Sequence, residues 1–238
     1  MKIIEPLIEV EPYDGIKIMK NIERACRTCY RSEGNITEDS YKKLLNNCIN
    51  RGHESVLEHE KITVRMTCDI GVYKDLTRHR FGSFSIESTR YCNYGKDKFE
   101  NEIKFIKPLF YNDKNPEELE DQDEIRDSLR TKYWICCMKN IECAYLQMNR
   151  IEGTVPDQLR MLLPHSVAAE VCLTANIREW KHILSLRCSK MTHPSIRQLL
   201  IPLLLKFKED MPEIFNVVEY DESFPKDKYA KLSIMEVV

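Results

Sequence analysis

Fourteen consecutive residues, Arg78-His79-Arg80-Phe81-Gly82-Ser83-Phe84-Ser85-Ile86-Glu87-Ser88-Thr89-Arg90-Tyr91, carry three arginines, a histidine and three serines. Ionised side chains are almost never fully buried unless paired, so this segment cannot form the interior of any fold and must lie at element ends or along a cleft. Two readings are open from composition: a solvated basic helix end, or a site for a multiply charged anion. Guanidinium groups pair bidentately with phosphate or carboxylate, and serine hydroxyls add neutral donors.

The rest of the chain narrows the choice. A formal net charge of −2 makes the arginines a local feature against a near-neutral background, unlike the broad basic field of a general nucleic-acid binder. The 238 residues are expected to form one domain over 1–238. No apolar run approaches the roughly 20 residues needed to span a bilayer, and Met1 to Glu5 lacks the pattern of a secretory signal, which predicts no membrane partner and a cytoplasmic protein. The ten cysteines are irregularly spaced, with Cys136 and Cys137 adjacent, so reduced thiols are expected rather than a disulfide framework. Cys26 and Cys29 form one C-x-x-C pair with no second pair to complete a zinc site, and His53 and His59 are six apart, unlike the four of a zincin helix. No metal is expected.

Periodicity predicts a mixed chain. Residues 2 to 10 read as a strand, as do Ile62 to Cys68 and Ser166 to Thr174. Helical spacing runs from Asp14 towards Gly34, from Thr37 to Gly52, from Ile70 to Phe81, from Glu179 to Lys190 and from Ile196 to Asp210. Residues 82 to 94 look extended. The acidic stretch of about 112–124 reads as a solvated, mobile loop, and a long helix from about Gln122 to Arg150 follows, with Ile125, Leu129, Tyr133, Cys137, Ile141, Tyr145 and Met148 as its apolar stripe. None of the seven glycines builds G-x-G-x-x-G, which argues against a Rossmann mode of dinucleotide binding.

Arg-His-Arg, seven residues, then Ser88 with Arg90-Tyr91, resembles the signature of the flavin-dependent thymidylate synthases. The likeness extends to Gly52-His53-Glu54-Ser55 through Glu58-His59, to Arg160 to Leu163-Pro164, to Asn176-x-Arg178 and to Leu186-Arg187, in the family's order. The resemblance implies an α+β domain with a small antiparallel sheet packed by several long helices, working as a homotetramer with sites at subunit interfaces. It implies methylation of dUMP to dTMP, with methylenetetrahydrofolate as one-carbon donor and a hydride carried by FAD and supplied by NADPH. By the same resemblance, Arg78, His79, Arg80, Asn176 and Arg178 hold FAD, with Ser55 and Glu58 contributed by another subunit. His193 matches a flavin-contacting histidine once a two-residue insertion is allowed. Ser88, Arg90, Arg160 and Arg187 bind dUMP, and His53 sits where flavin and folate meet. The family often has Gln at Asp75, Asn at Ser85 and Glu at Ile86; Asp75 and Ser85 are therefore left out of the expected site, and Glu87 is kept on its substrate side.

The chemistry gives these assignments content. Uracil C5 must become electron-rich to accept a one-carbon unit, and none of the ten prolines precedes a cysteine, so the cysteine nucleophile of the other thymidylate synthase class has no counterpart. An alcohol is a weak nucleophile without a base, which favours a hydrogen-bonding role for Ser88. Arg187 suits the stabilisation of negative charge developing on the ring. Two rival classes stand beside it: a nucleic-acid module that uses the same arginines and stacks bases on Phe81, Tyr91 and Tyr94, and a metal hydrolase built on His53, His59, Cys26 and Cys29, which the ligand spacing does not support.

Overall fold

The computed structural model describes residues 1–236; the last two positions of the expected domain lie outside the described residues. In chain order it has β1 (Lys2–Ile4), β2 (Leu7–Val10), α1 (Gly15–Thr28), α2 (Ser40–Asn50), β3 (Lys61–Asp69), α3 (Ile70–Leu76), β4 (Ser83–Ile86), β5 (Lys104–Ile106), α4 (Gln122–Asn149), α5 (Pro156–Leu159), β6 (Ala168–Asn176), α6 (Ile177–Arg187), α7 (Pro194–Asp210), α8 (Pro212–Phe215) and β7 (Lys231–Ile234). The class is α+β, as expected. The chain divides into two compact units, one of residues 1–6, 67–74 and 86–171, the other of 7–66, 75–85 and 172–238.

In the first unit β1 pairs parallel with β5, Lys2 opposite Lys104, and Phe105 bridges Val167. Tyr94, Ile103, Phe105, Met138, Tyr145, Leu159 and Val167 form its core. The stripe expected on α4 holds only in its C-terminal half, where Tyr145 is buried and Ile141 and Met148 pack against the core; further up, the helix turns Ser128, Thr131 and Met138 inward, and Tyr133 is 75% exposed. The reason is polar. Ser128 Oγ donates to the Lys114 carbonyl at 2.6 Å and Thr131 Oγ1 accepts from the Asn112 N–H at 2.9 Å, so α4 faces the acidic segment and satisfies its backbone.

The five-stranded sheet is ordered β4-β6-β3-β2-β7, with β2, β7 and most residues of the other strands in the second unit. The sheet is not antiparallel throughout, because β2 and β7 pair in parallel with Leu7 opposite Lys231. β3 alternates cleanly, with Ile62, Val64, Met66 and Cys68 buried, the period of a strand with one face on the core. Trp180 anchors the helices, donating Nε1–H to the Ile62 carbonyl at 2.9 Å and meeting Phe207 edge-on at 5.9 Å. Pro202 inside α7 lacks the N–H that would bond the Gln198 carbonyl. The Ala230 N–H takes that carbonyl instead, at 2.9 Å, and so delivers β7 to the sheet edge. Two expected elements have other bounds. The strand over 2–10 is split at Pro6, and the helix expected to reach Phe81 stops at Leu76, where Arg78 and His79 N–H close turns on the Asp75 and Leu76 carbonyls.

Candidate functional site

Beyond α3 the Arg78-His79-Arg80 triplet is a turn, and a turn sends neighbouring side chains different ways. Arg78 and Arg80 are exposed while His79 is buried. Gly82 lets the segment run close to β6, since a Cβ there would lie 2.6 Å from the Leu173 side chain. On α6, Arg178, Lys181, His182 and Ser185 recur at spacings of three and four, the period of one helical face.

These groups line a cavity of about 1380 Å3 in the second unit, together with Glu54, Glu58, Asn176, Glu179, Ser189, Lys190 and the segment Val217 to Glu222. Of the residues expected to hold the cofactor, Arg78, His79, Arg80, Asn176, Arg178 and Glu58 therefore share one cavity. Glu58 reaches it from this same chain and accepts from Arg178 Nη1 at 2.6 Å. Lys181 is paired with Glu54. Carboxylates of the chain thus neutralise part of the cationic wall. The side-chain cations of Arg78, Arg80 and Lys190 have no hydrogen-bond or ion-pair partner among the described residues.

Asn176 caps α6, its Oδ1 accepting from the Glu179 N–H at 2.8 Å, so that side chain has its amide N–H groups left for a ligand. Ser55, His53 and His193 are exposed and do not line the cavity. His193 instead caps α7, its Nδ1 accepting from the Ser195 N–H.

Arg187 lies at the last turn of α6, where a cation is favoured by the helix dipole. Its Nε donates to His79 Nε2 at 3.0 Å and its Nη2 to the Asp75 carbonyl at 2.9 Å. A ring nitrogen that accepts cannot carry the proton, so His79 is neutral with its hydrogen on Nδ1, which faces Glu179 Oε1 at 3.5 Å. Burial, then Arg187 and His182, push the His79 pKa down to about 4, so the contact with Glu179 is not an ion pair. Burial pushes the Glu179 carboxyl up. Asp75, Glu179, Lys181, His182 and the segment 217–222 were not among the expected site residues. Only the helical spacing of 178, 181, 182 and 185 carried a signal for any of them.

The other expected substrate residues belong to the first unit. Arg90 Nε and Arg160 Nη1 lie 3.4 and 3.7 Å from the one oxygen Asp157 Oδ1. The Ser88 hydroxyl has no hydrogen-bond partner among the described residues, so no base activates it there. Glu87 accepts from Tyr94 O–H at 2.8 Å and, weakly, from the Glu170 N–H, which makes it a fastening of the core. The stacking trio of the nucleic-acid reading is divided: Phe81 and Tyr91 are 83% and 77% exposed, Tyr94 only 5%. The C-x-x-C pair is divided too, with Cys26 buried 3.6 Å from Cys48 Sγ and Cys29 exposed. Among the described residues no cluster of His, Cys, Asp and Glu could hold a metal ion, and no helix is long and apolar enough to cross a membrane.

An α+β fold whose Arg78 and Arg80 guanidinium groups stand unpaired at a cavity larger than the usual 300–1,000 Å3 or so of small-ligand sites defines a protein with room for a large ligand that carries anionic groups. Residues 16–213 match the family model described as thymidylate synthase complementing protein, and the chain belongs to that family, the flavin-dependent thymidylate synthases. It is 28% identical over 202 residues to a probable flavin-dependent thymidylate synthase of Mycobacterium phage L5, covering 81% of this chain and 77% of the relative. It is 26% identical over 199 residues to the flavin-dependent thymidylate synthase of Geobacter sulfurreducens, covering 80% and 78%. Among solved structures, the fold is similar to the UMP/dUMP methylase PolB of Streptomyces cacaoi bound with 5-Br dUMP (TM-score 0.70, 20% identity, 91% of this chain and 96% of that one). It is also similar to thymidylate synthase X of Helicobacter pylori with FAD and dUMP (TM-score 0.64, 18% identity, 88% and 97%).

Proposed function

We propose that this chain methylates dUMP to dTMP, with methylenetetrahydrofolate as one-carbon donor and NADPH as reductant, and that the cavity of the second unit holds FAD. The observation that carries the reading is the pair of unpartnered guanidinium groups, Arg78 and Arg80, on the wall of that cavity. A diphosphate supplies the charge they lack and accepts their paired N–H groups. Arg178 and the Asn176 amide add donors on the adjoining helix face, and Glu58 fixes the Arg178 guanidinium. FAD, when bound and reduced by NADPH, would supply the hydride. Ser55 and His193, outside this cavity, are assigned to the cofactor by family resemblance.

For the nucleotide, Arg90 and Arg160 offer two guanidinium groups gathered on one carboxylate, an arrangement a phosphate can take over from Asp157. Ser88, with no base beside its hydroxyl, serves as a hydrogen-bond donor rather than a nucleophile. Arg187 is held by two fixed acceptors, His79 Nε2 and the Asp75 carbonyl, which leaves its remaining N–H groups preorganised for negative charge developing on uracil. His53 is assigned to the meeting of flavin and folate. Glu87, already bound to Tyr94, is withdrawn from the nucleotide-binding set. We further propose that residues 1–238 act as one functional domain in a cytoplasmic homotetramer.

The test is the purified protein. A yellow protein whose visible band bleaches anaerobically with NADPH, and which forms dTMP from dUMP and methylenetetrahydrofolate, supports the reading. A colourless protein that takes up no added FAD overturns it.

A further inference from the structure

We propose that Glu179 is a positioning residue for Arg187, acting through the imidazole of His79. The inference rests on the role given above to Arg187. Arg187 can donate Nε–H to His79 only while Nε2 carries a lone pair, and Nε2 carries a lone pair only while the proton sits on Nδ1. An isolated imidazole exchanges its proton between the two nitrogens. Here the Glu179 carboxylate oxygen lies 3.5 Å from Nδ1, longer than an ordinary hydrogen bond, and its negative charge favours the hydrogen on the ring nitrogen it faces, which is the tautomer that Arg187 needs.

The surroundings make the selection tight. His79 is 5% exposed and Glu179 6%, so solvent reaches the pair only through the cavity that both border. The charged and titratable groups facing the ring are Arg187, Glu179 and His182, whose ring meets it edge-on at 5.6 Å. Arg78 and Arg80, its neighbours in the chain, are exposed. Glu179 is itself fixed, because its backbone N–H is capped by Asn176 in the first turn of α6, where a carboxylate is favoured by the helix dipole. One helix thus carries both ends of the device, Glu179 in its first turn and Arg187 in its last, with His79 from the Arg-His-Arg turn between them. Without Glu179 the ring is free to place its hydrogen on Nε2. That hydrogen would point at the Arg187 Nε–H, and the guanidinium would lose one of its two anchors.

The experiment uses the full-length protein with 15N-labelled histidine. Long-range proton–nitrogen spectra at pH 7 are expected to show His79 in the Nδ1–H tautomer, and Glu179→Leu to shift it towards a mixture of tautomers. Glu179→Leu is expected to lower kcat by roughly ten-fold or more, with the flavin spectrum and thermal midpoint retained. Glu179→Gln, which keeps a carbonyl oxygen for Nδ1–H, is expected to recover most of that loss. An Nε2–H tautomer or an imidazolium in the unmutated protein overturns the proposal, and that measurement stands even if Glu179→Leu does not fold. Unchanged turnover and tautomer in Glu179→Leu also overturn it, provided Arg187→Ala is inactive. Full activity in Arg187→Ala would instead show that the role given to Arg187 is wrong, while the tautomer spectra still decide whether Glu179 sets the ring.

Discussion

His79 Nε2 accepts a hydrogen bond from Arg187 Nε at 3.0 Å, across 108 positions of sequence. The contact joins the middle of the Arg-His-Arg triplet to the last turn of α6. The histidine is buried where its two arginine neighbours are exposed, and it is a fixed acceptor for a third arginine.

Arg187→Lys should cost far more than its conserved charge suggests. A lysine ammonium cannot reach His79 Nε2 and the Asp75 carbonyl with the planar fork that guanidinium presents. We expect kcat to fall about 100-fold or more, with a thermal midpoint within a few degrees of the parent. Steady-state kinetics beside calorimetry check both.

His79 gives stability a definite pH dependence. Its folded pKa of about 4 lies below the ordinary 6.5, so between those values the unfolded chain binds more protons than the folded one. The stability is present in full above 6.5 and is lost as pH falls towards 4, by at most about 3 kcal/mol. The raised carboxyl of Glu179 acts in the opposite sense, its contribution being present at low pH and lost as pH rises through its folded pKa. Urea titrations from pH 7 to 4.5 should show a net loss that His79→Gln flattens.

Arg78→Ala and Arg80→Ala should each weaken FAD retention by about 10- to 100-fold, the worth of one charge-assisted contact to a phosphate. Neither side chain has a partner among the described residues, so stability should hardly move. The ratio of flavin to protein absorbance after gel filtration, at two salt concentrations, measures the loss.

Asp157→Asn should strengthen dUMP binding. The carboxylate lies within 4 Å of both Arg90 and Arg160 and competes with any phosphate for them. All three side chains are well exposed, so solvent screening limits the gain to a few-fold, shrinking with added salt. Titration calorimetry at low and moderate ionic strength gives the comparison.

Tyr94→Phe tests whether Glu87 fastens the core. The buried phenol donates to that carboxylate at 2.8 Å, and removing it should cost about 1–3 kcal/mol of unfolding free energy. The KM for dUMP should stay near its parent value. A large rise in KM without loss of stability would return Glu87 to the nucleotide.

The sequence by itself determined which residues carry charge, the strand period of β3 and the helical period of α6, and through its ordered motifs the family. Those features are local, because they depend on residue type and on spacings of two to four. The tertiary structure decided the rest. Ser128 and Thr131 displaced Leu129 and Tyr133 from the inner face of α4 because distant backbone groups needed partners. Glu58 and Glu54 were brought against Arg178 and Lys181 from more than a hundred residues away. Glu179 acquired its place beside His79 only once α6 was laid against the Arg-His-Arg turn. Hydrogen bonds and ion pairs between segments a hundred residues apart are set by packing, and no local period encodes them.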